Sequence, residues 1–440
     1  MGDEQLGLAG ATSIGLGGMI GGGVFSVLGV VATIAGAAAW AAFTAASLIS
    51  MCAAYSYVKL NRLADARGGS VSMIEEFVGN ATLAGMVGWT LLFGYVGAVA
   101  MYAFAFGGFA AQLVGMGSVL GLPFRPVASV VAVAGFVGLN AVGARATGTS
   151  EEVLVGLKIA ILLVIGGWGL YYGHTVNRLA FGFSMVTDLG FVTAVAISFV
   201  SFQGWQLVMY DQDSIRDPKS VVPKAVYISI VGAIIIDSMI AILVTSLVST
   251  QAIARHPEIA VAKAVRPFLG HLGFVAVAVA ALFSTGSAIN GTLFSAANFA
   301  KGMLSDGLLP DRLGDASAGG APVRTVLVLG AIAAAFTVYG SLDGITSFGS
   351  LAFMVVFGAM SYLAFARRDA DEVDINPAVP ALGVLGTVAF FPILLWHLYT
   401  AQRGVFYSVV GISVAVVAVE LLYFERDALE DGIPGIGEHV

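Results

Sequence analysis

Apolar residues in this chain run in blocks of about 20, the length a helix needs to cross a bilayer, and short polar joints separate the blocks. Twelve blocks lie near 8–32, 35–58, 84–114, 126–143, 152–172, 187–210, 224–248, 272–300, 325–340, 344–365, 379–399 and 405–424. The pattern predicts twelve membrane-spanning helices, those at 84–114 and 272–300 being tilted or extended past the membrane. Two joints are amphipathic. Ser70 to Val78 is expected to lie along the inner surface with Met73, Phe77 and Val78 toward lipid, and Pro257 to Leu269 to form a short outer lid. No joint is long enough to fold as a domain.

Two blocks carry irregularities at mid-span. The first holds Gly15, Gly17, Gly18, Gly21, Gly22 and Gly23, interleaved with Leu16, Met19 and Ile20, and it has no charge. So many glycines give up backbone order. In hydrocarbon, irregular backbone is tolerated only where it is buried in protein or lines a water-filled cavity. The segment therefore reads as a helix broken at mid-membrane. The sixth block holds Ser198, Ser201, Phe202, Gln203, Gly204, Trp205 and Gln206 between apolar flanks. Taken alone, that cluster is equally the small-residue glue of helix contacts. Paired breaks in the first and sixth spans are five spans apart, and an odd number of spans inverts a second copy. The pairing predicts two inverted five-helix repeats, 8–172 and 187–365, followed by two added helices at 379–424 and a cytoplasmic tail at 425–440, in one domain covering 1–440.

Composition agrees. The chain is 58% hydrophobic and 11% charged, against about 25% charged in soluble globules. The first block has no basic flank or clean cleavage signal and reads as a span rather than a cleaved leader. Thirteen of the Lys and Arg residues fall in joints on the side of the N-terminus and six on the other side, which puts both termini in the cytoplasm of a multi-pass cell-membrane protein. The net charge of −7 gives no reason to expect nucleic acid as a partner. The one cysteine, Cys52, excludes an internal disulfide and a cysteine metal cluster. The histidines show no ligand spacing, so no metal site is expected, and no cofactor is. The glycine run lacks the Gly-Lys-Ser/Thr ending of a phosphate loop, so ATP-driven transport is not expected. Membrane-embedded catalysis would need convergent acids or ligands, and the chain is not expected to be an enzyme.

Half-helix ends at a break offer unpaired amides to an anion. Gly21, Gly22 and Gly23 are placed to hold a carboxylate. Carbonyls near Gly17 and Phe202 are placed to hold an ammonium, with Phe202 and Trp205 closing the pocket. Lys158 is the lone lysine inside a span, about 10 Å from its inner end at 1.5 Å per residue. Desolvation favours loss of its proton, which suits a coupling ion, and Ser284, Thr285 and Ser287 are candidates to face it. A lysine reaching back to the inner surface is the alternative. Asp237 and Asn290 are further polar residues inside spans. An intramembrane acid is a functional candidate by default, and Asn290 is expected to tie its helix to neighbours at the first break.

The run Gly15 to Phe25 resembles the glycine-rich first-helix signature of the amino acid–polyamine–organocation permeases. Gly68, Gly69 and Ser70 resemble that family's Gly-Gly segment. Phe202 to Trp205 resemble its sixth-helix element, followed by Pro218 and Pro223. Met303, Asp306, Gly307, Leu308, Leu309 and Pro310 resemble the segment after its eighth helix. The resemblance implies inverted repeats, alternating access and transport of amino acids or amines, and it adds that a lysine at the place of Lys158 can stand where sodium-coupled relatives bind an ion. There are departures. Tyr57, Val58, Lys59 and Leu60 stand where Tyr-Ala-Glu-Leu is common, and Gln206 stands where an acid commonly follows the sixth-helix aromatic. Without that acid a neutral zwitterion is the expected substrate, with protons as coupling ion and a monomer or weak homo-oligomer in the bilayer. Polyamine or cationic amino acid transport, and exchange, remain open alternatives, as do a channel or a membrane solute sensor.

Overall fold

The computed structural model describes residues 5–64, 69–142, 148–210, 212–315 and 322–419, with backbone alone at 148–151 and 213. The expected tail at 425–440, the end of the twelfth block and Gly68 lie outside the described residues. Among the described residues the protein is helical, apart from two-residue strands at Ser118–Val119 and Leu122–Pro123. It is an all-α polytopic membrane protein.

The first block forms α1 (Leu8–Gly22), a π turn (Gly23–Val27) and α2 (Leu28–Ala35). Then come α3 (Ala39–Leu63), α4 (Ser70–Val78), α5 (Ala81–Val114), α6 (Phe124–Ala141) and α7 (Gly148–Thr175). The sixth block is split into α8 (Leu189–Ser198), a 3-10 turn (Phe199–Phe202) and α9 (Leu207–Tyr210). The remainder is α10 (Pro218–Leu247), α11 (Thr250–Arg255), α12 (Ala260–Ser305), α13 (Val323–Tyr339), α14 (Leu342–Ala366), α15 (Ala378–Ala401) and α16 (Arg403–Val419). Among the described residues, nine segments are long and apolar enough to cross a membrane, and the first of them, Leu8–Leu63, contains two of the expected blocks. Helix α13 and helix α16 are shorter.

Local chemistry sets the ends. The Asn80 side chain accepts from Leu83 N at 2.8 Å and starts α5; Ser341 does the same for α14 through Gly344 N at 3.0 Å. Gly270 (φ 65°) kinks α12, so its outer part and its span are separate helices. The interrupted sixth span is the best enclosed: its apolar window is 89% buried, against 22% for α15. No described side chain of α16 is buried. The added helices are thus peripheral, and the core forms around α1, α5 and α8.

Of the two amphipathic joints, the first differs from expectation and the second forms a lid. Helix α4 forms, but Met73 is fully buried with Val71 and Ile74, and the Arg367 guanidinium lies 5.2 Å from the centre of the Phe77 ring. Val71, Met73 and Ile74 meet neighbouring helices rather than lipid, because those helices offer a larger dry surface, and Val78 stays exposed as expected. The lid is α11, a 3-10 turn at Pro257–Ile259 and the outer part of α12. The Pro257 carbonyl lies directly against Gly29, and Glu258 against Gly108, so this segment seals one end of the bundle. Beside it an open cavity of about 930 Å³ is lined by Arg125, His256, Glu258, Asp343 and His397 among others.

Candidate functional site

The sixth span is broken in full. After the 3-10 turn, Gln203 is extended (φ −81°, ψ 146°) and Gly204 has φ 129°. Four backbone groups at the break are met by side chains. Ser350 Oγ donates to Ile197 O (2.6 Å) and accepts from Val200 N (3.0 Å). Ser50 Oγ donates to Phe202 O (3.4 Å), and Gly204 N donates to Gln206 Oε1 (2.7 Å). A break in a dry interior needs such substitutes.

The first span is interrupted differently. Gly22 (φ −79°, ψ −60°) and Gly23 (φ −58°, ψ −62°) stay helical, Gly23 N donates to Met19 O, and Leu28 N donates to Gly23 O five residues back. A π turn absorbs one extra residue without unwinding. The Gly23 amide, expected to be free for an anion, is therefore occupied in this conformation.

The glycines instead admit neighbours from several helices. A Cβ on Gly21 would stand 2.8 Å from Ala288 Cβ of α12, and one on Gly22 would stand 3.1 Å from the Tyr102 ring of α5. One on Gly23 would stand 2.6 Å from Asp237 Oδ2 of α10, and one on Gly17 would meet Val155 Cγ2 of α7 at 3.1 Å. One on Gly18 would lie 3.2 Å from the Gly204 Cα. The two interrupted spans thus touch backbone to backbone at Gly18 and Gly204. Met19 and Ile20 are fully buried beside them.

Polar side chains converge on this contact. Lys158 is 7% exposed, and its Nζ donates to Gly17 O at 3.0 Å. The residue points at the first span rather than back to the inner surface. Gln203 Nε2 donates to Tyr102 OH, which donates to Gly18 O at 3.4 Å. Ser284 is buried next to Gly21. Thr285 Oγ1 donates to Ala281 O of its own helix at 2.7 Å, and Ser287 is half-buried. Asn290 accepts from Asn140 Nδ2 at 2.8 Å and so ties α12 to α6, not to the first break. Phe202 and Trp205 are fully buried. The Trp205 indole donates to Ser50 Oγ (3.1 Å) and lies edge-on to Tyr57 at 5.1 Å, so it anchors α9 to α3. Tyr102, Ser50 and Ser350 were not singled out from sequence. Tyr102 had a weak signal, a phenol seven residues after Tyr95 in an otherwise apolar span.

Two interrupted helices meeting inside a polytopic bundle, ringed by amides, a phenol and an ammonium, define a secondary transporter of small organic solutes. Residues 6–419 match the family model described as amino acid permease. The chain belongs to the amino acid–polyamine–organocation permeases and is a transporter rather than an enzyme. It is 28% identical over 429 residues to an uncharacterized protein of Methanocaldococcus jannaschii, covering 96% of this chain and 95% of that one. It is 29% identical over 407 residues to the inner membrane transport protein YbaT of Escherichia coli, covering 91% of each. The fold is similar to that of a manganese transporter from Eremococcus coleocola, with a TM-score of 0.60 at 14% identity over 94% of this chain and 93% of the other.

Proposed function

We propose that this chain carries neutral amino acids across the cell membrane, coupled to protons, by alternating access. The observation that carries the reading is the contact of Gly18 with Gly204, with Lys158 held on the adjoining Gly17 carbonyl. In this reading the spans number twelve, and 8–172 and 187–365 are inverted five-helix repeats that rock against each other about that contact. The substrate carboxylate meets the amides of Gly21 to Gly23 once the π turn relaxes, and its ammonium meets carbonyls near Gly17 and Phe202. Gln203 and Tyr102 line the same place. The proton rides on Lys158: the ammonium holds Gly17 O, and its deprotonation releases the first span. Both termini are cytoplasmic in this reading, so the lid and the cavity beside it belong to the outer face, and the lid closes the conformation to the outside.

The neutral-substrate assignment follows from Gln206, whose carbonyl oxygen accepts from Gly204 N and which offers no negative charge to a cationic substrate. The test is uptake by purified protein in liposomes, with proton and sodium gradients imposed separately and the amino acids screened one by one. A neutral amino acid should accumulate with an inward proton gradient, and an uncoupler should abolish this. Lys158→Ala should keep amino acid exchange and lose the pH dependence. Uptake that tracks sodium and ignores pH would sink the coupling assignment, and single-channel currents would sink the carrier itself.

A further inference from the structure

Asp237 sits in α10, ten residues before its end, and it is fully buried with neither carboxyl oxygen hydrogen-bonded. Its carboxyl group rests on the backbone of Gly23, the residue that opens the π turn; a Cβ there would stand 2.6 and 2.7 Å from the two oxygens. Helix α10 follows the first span in register. Ser229 Oγ donates to Thr12 O at 3.1 Å and faces Gly15, eight residues before Gly23 just as Ser229 is eight before Asp237. Close by, Ser26 Oγ donates to Gly21 O at 3.3 Å across the same turn. An acid left without partners inside a membrane protein calls for an explanation, and intramembrane acids mark ion or proton pathways by default.

The surroundings limit what Asp237 can pair with. Among the elements packed against α10, the first span has no titratable side chain from Leu8 to Ala35, and α3 has none before Cys52. Helix α12 has none between His271 and Lys301. Among its described side chains, helix α7 carries Glu152 near one end, Tyr171, Tyr172 and His174 near the other, and Lys158 between them, which is engaged at Gly17; α9 contributes Tyr210. The nearest phenol on the far side of Gly22 is Tyr102. Gly17 and Gly23 are six residues apart, about 9 Å along the helix at 1.5 Å per residue. Lys158 and Asp237 therefore flank the glycine run at two levels, from two different helices.

We propose that Asp237 is a second proton-carrying group, gated by the π turn of the first span. With the turn closed, as here, the carboxyl is enclosed without donors and holds its proton. When the turn opens to outer water to take a substrate carboxylate, Asp237 takes up a proton from that water; the closed turn encloses it, and when the turn opens to the inside the proton passes to inner water as the substrate leaves. No bond other than O–H changes. The proposal rests on the proton-coupled reading above, with Lys158 as the first group.

The test uses the full-length protein in liposomes and measures amino acid exchange, amino acid affinity and the ratio of protons to amino acid moved. Asp237→Asn matches the neutral acid in shape, so a packing role alone would survive it. The expected result is intact affinity and exchange, a lower proton ratio and loss of the acid-dependent limb of the uptake profile, with Asp237→Glu restoring a displaced limb. Should the Asn variant fail to fold, the displaced limb in the Glu variant tests the same point. An unchanged ratio and profile in Asp237→Asn overturns the proposal. Loss of amino acid affinity at an unchanged ratio also overturns it and assigns the carboxyl to the substrate ammonium. Wild-type protein that moves no protons at all removes the proton-coupled reading itself, and the wild-type arm shows that outcome separately.

Discussion

The two interruptions teach opposite lessons. The first span has six glycines in nine residues and remains helical. The sixth has one glycine at its centre and breaks completely. Glycine density is therefore not what unwinds a membrane helix here. At the first span, missing side chains let α5, α7, α10 and α12 approach the backbone, and that packing holds the helix in shape. At the sixth, side chains from α3 and α14 supply the bonds that the backbone gives up. One region is a hub and the other is a hinge.

The sharpest way to break this comparison is to put a methyl group on each side of the glycine contact between them. At Gly204, φ of 129° is strained for any L side chain, and an alanine Cβ would meet Met19 N at 3.1 Å and the Gly18 carbonyl carbon at 3.2 Å. Both are backbone atoms that cannot swing away. Strain of this kind costs about 1–3 kcal/mol, with the clash in addition. Gly204→Ala should lower the melting temperature and cut transport about tenfold or more, since 1.4 kcal/mol is a factor of ten. Next in size is Ser350→Ala, which leaves Val200 N–H and Ile197 C=O without partners in a dry interior. An unsatisfied buried group costs about 1–3 kcal/mol. Thermal unfolding should show that loss. Gly18→Ala tests the other side of the contact. Overpacking against Gly204 costs about 1–3 kcal/mol, but a helix gains about 0.5–1 kcal/mol when alanine replaces glycine. Stability should move less than for Gly204→Ala, while transport should still fall. Equal stability losses at the two glycines would erase the distinction between hub and hinge.

The spans were legible because apolar blocks of membrane length leave few alternatives, and the observed ends fall close to those read from the blocks. Helix α12 is the exception, since its outer part is merged into the same stretch across the Gly270 kink. The interruptions were legible as positions, not as conformations. Nothing within Gly15 to Phe25 announces that Gly23 N–H stays bonded to Met19 O, because the atoms enforcing it belong to Ala288, Tyr102 and Asp237. Lys158 stood out as a lone charge, and its bond to Gly17 was within reach of that reasoning. Ser50, Ser350 and Tyr102 were not, because a serine or tyrosine is ordinary in a membrane helix. Only the rotation of α3, α5 and α14, set by packing among many helices, points these side chains at the sixth span.

Asn290 gives the smallest and most selective check. It shares the mid-membrane setting of the hub, yet its carbonyl receives Asn140 Nδ2, and Asn140 also donates to Phe136 O at 2.9 Å. Removing Asn290 therefore leaves its partner still bonded. Side-chain hydrogen bonds between membrane helices average about 0.6 kcal/mol, so Asn290→Ala should lower stability only slightly. Amino acid affinity, exchange rate and pH profile should stay at wild-type values, because the bond joins α12 to α6 and bypasses both interruptions. A shifted affinity or pH profile in Asn290→Ala would mean that α6 moves with the hub, and the boundary between the site and its scaffold would have to be drawn further out.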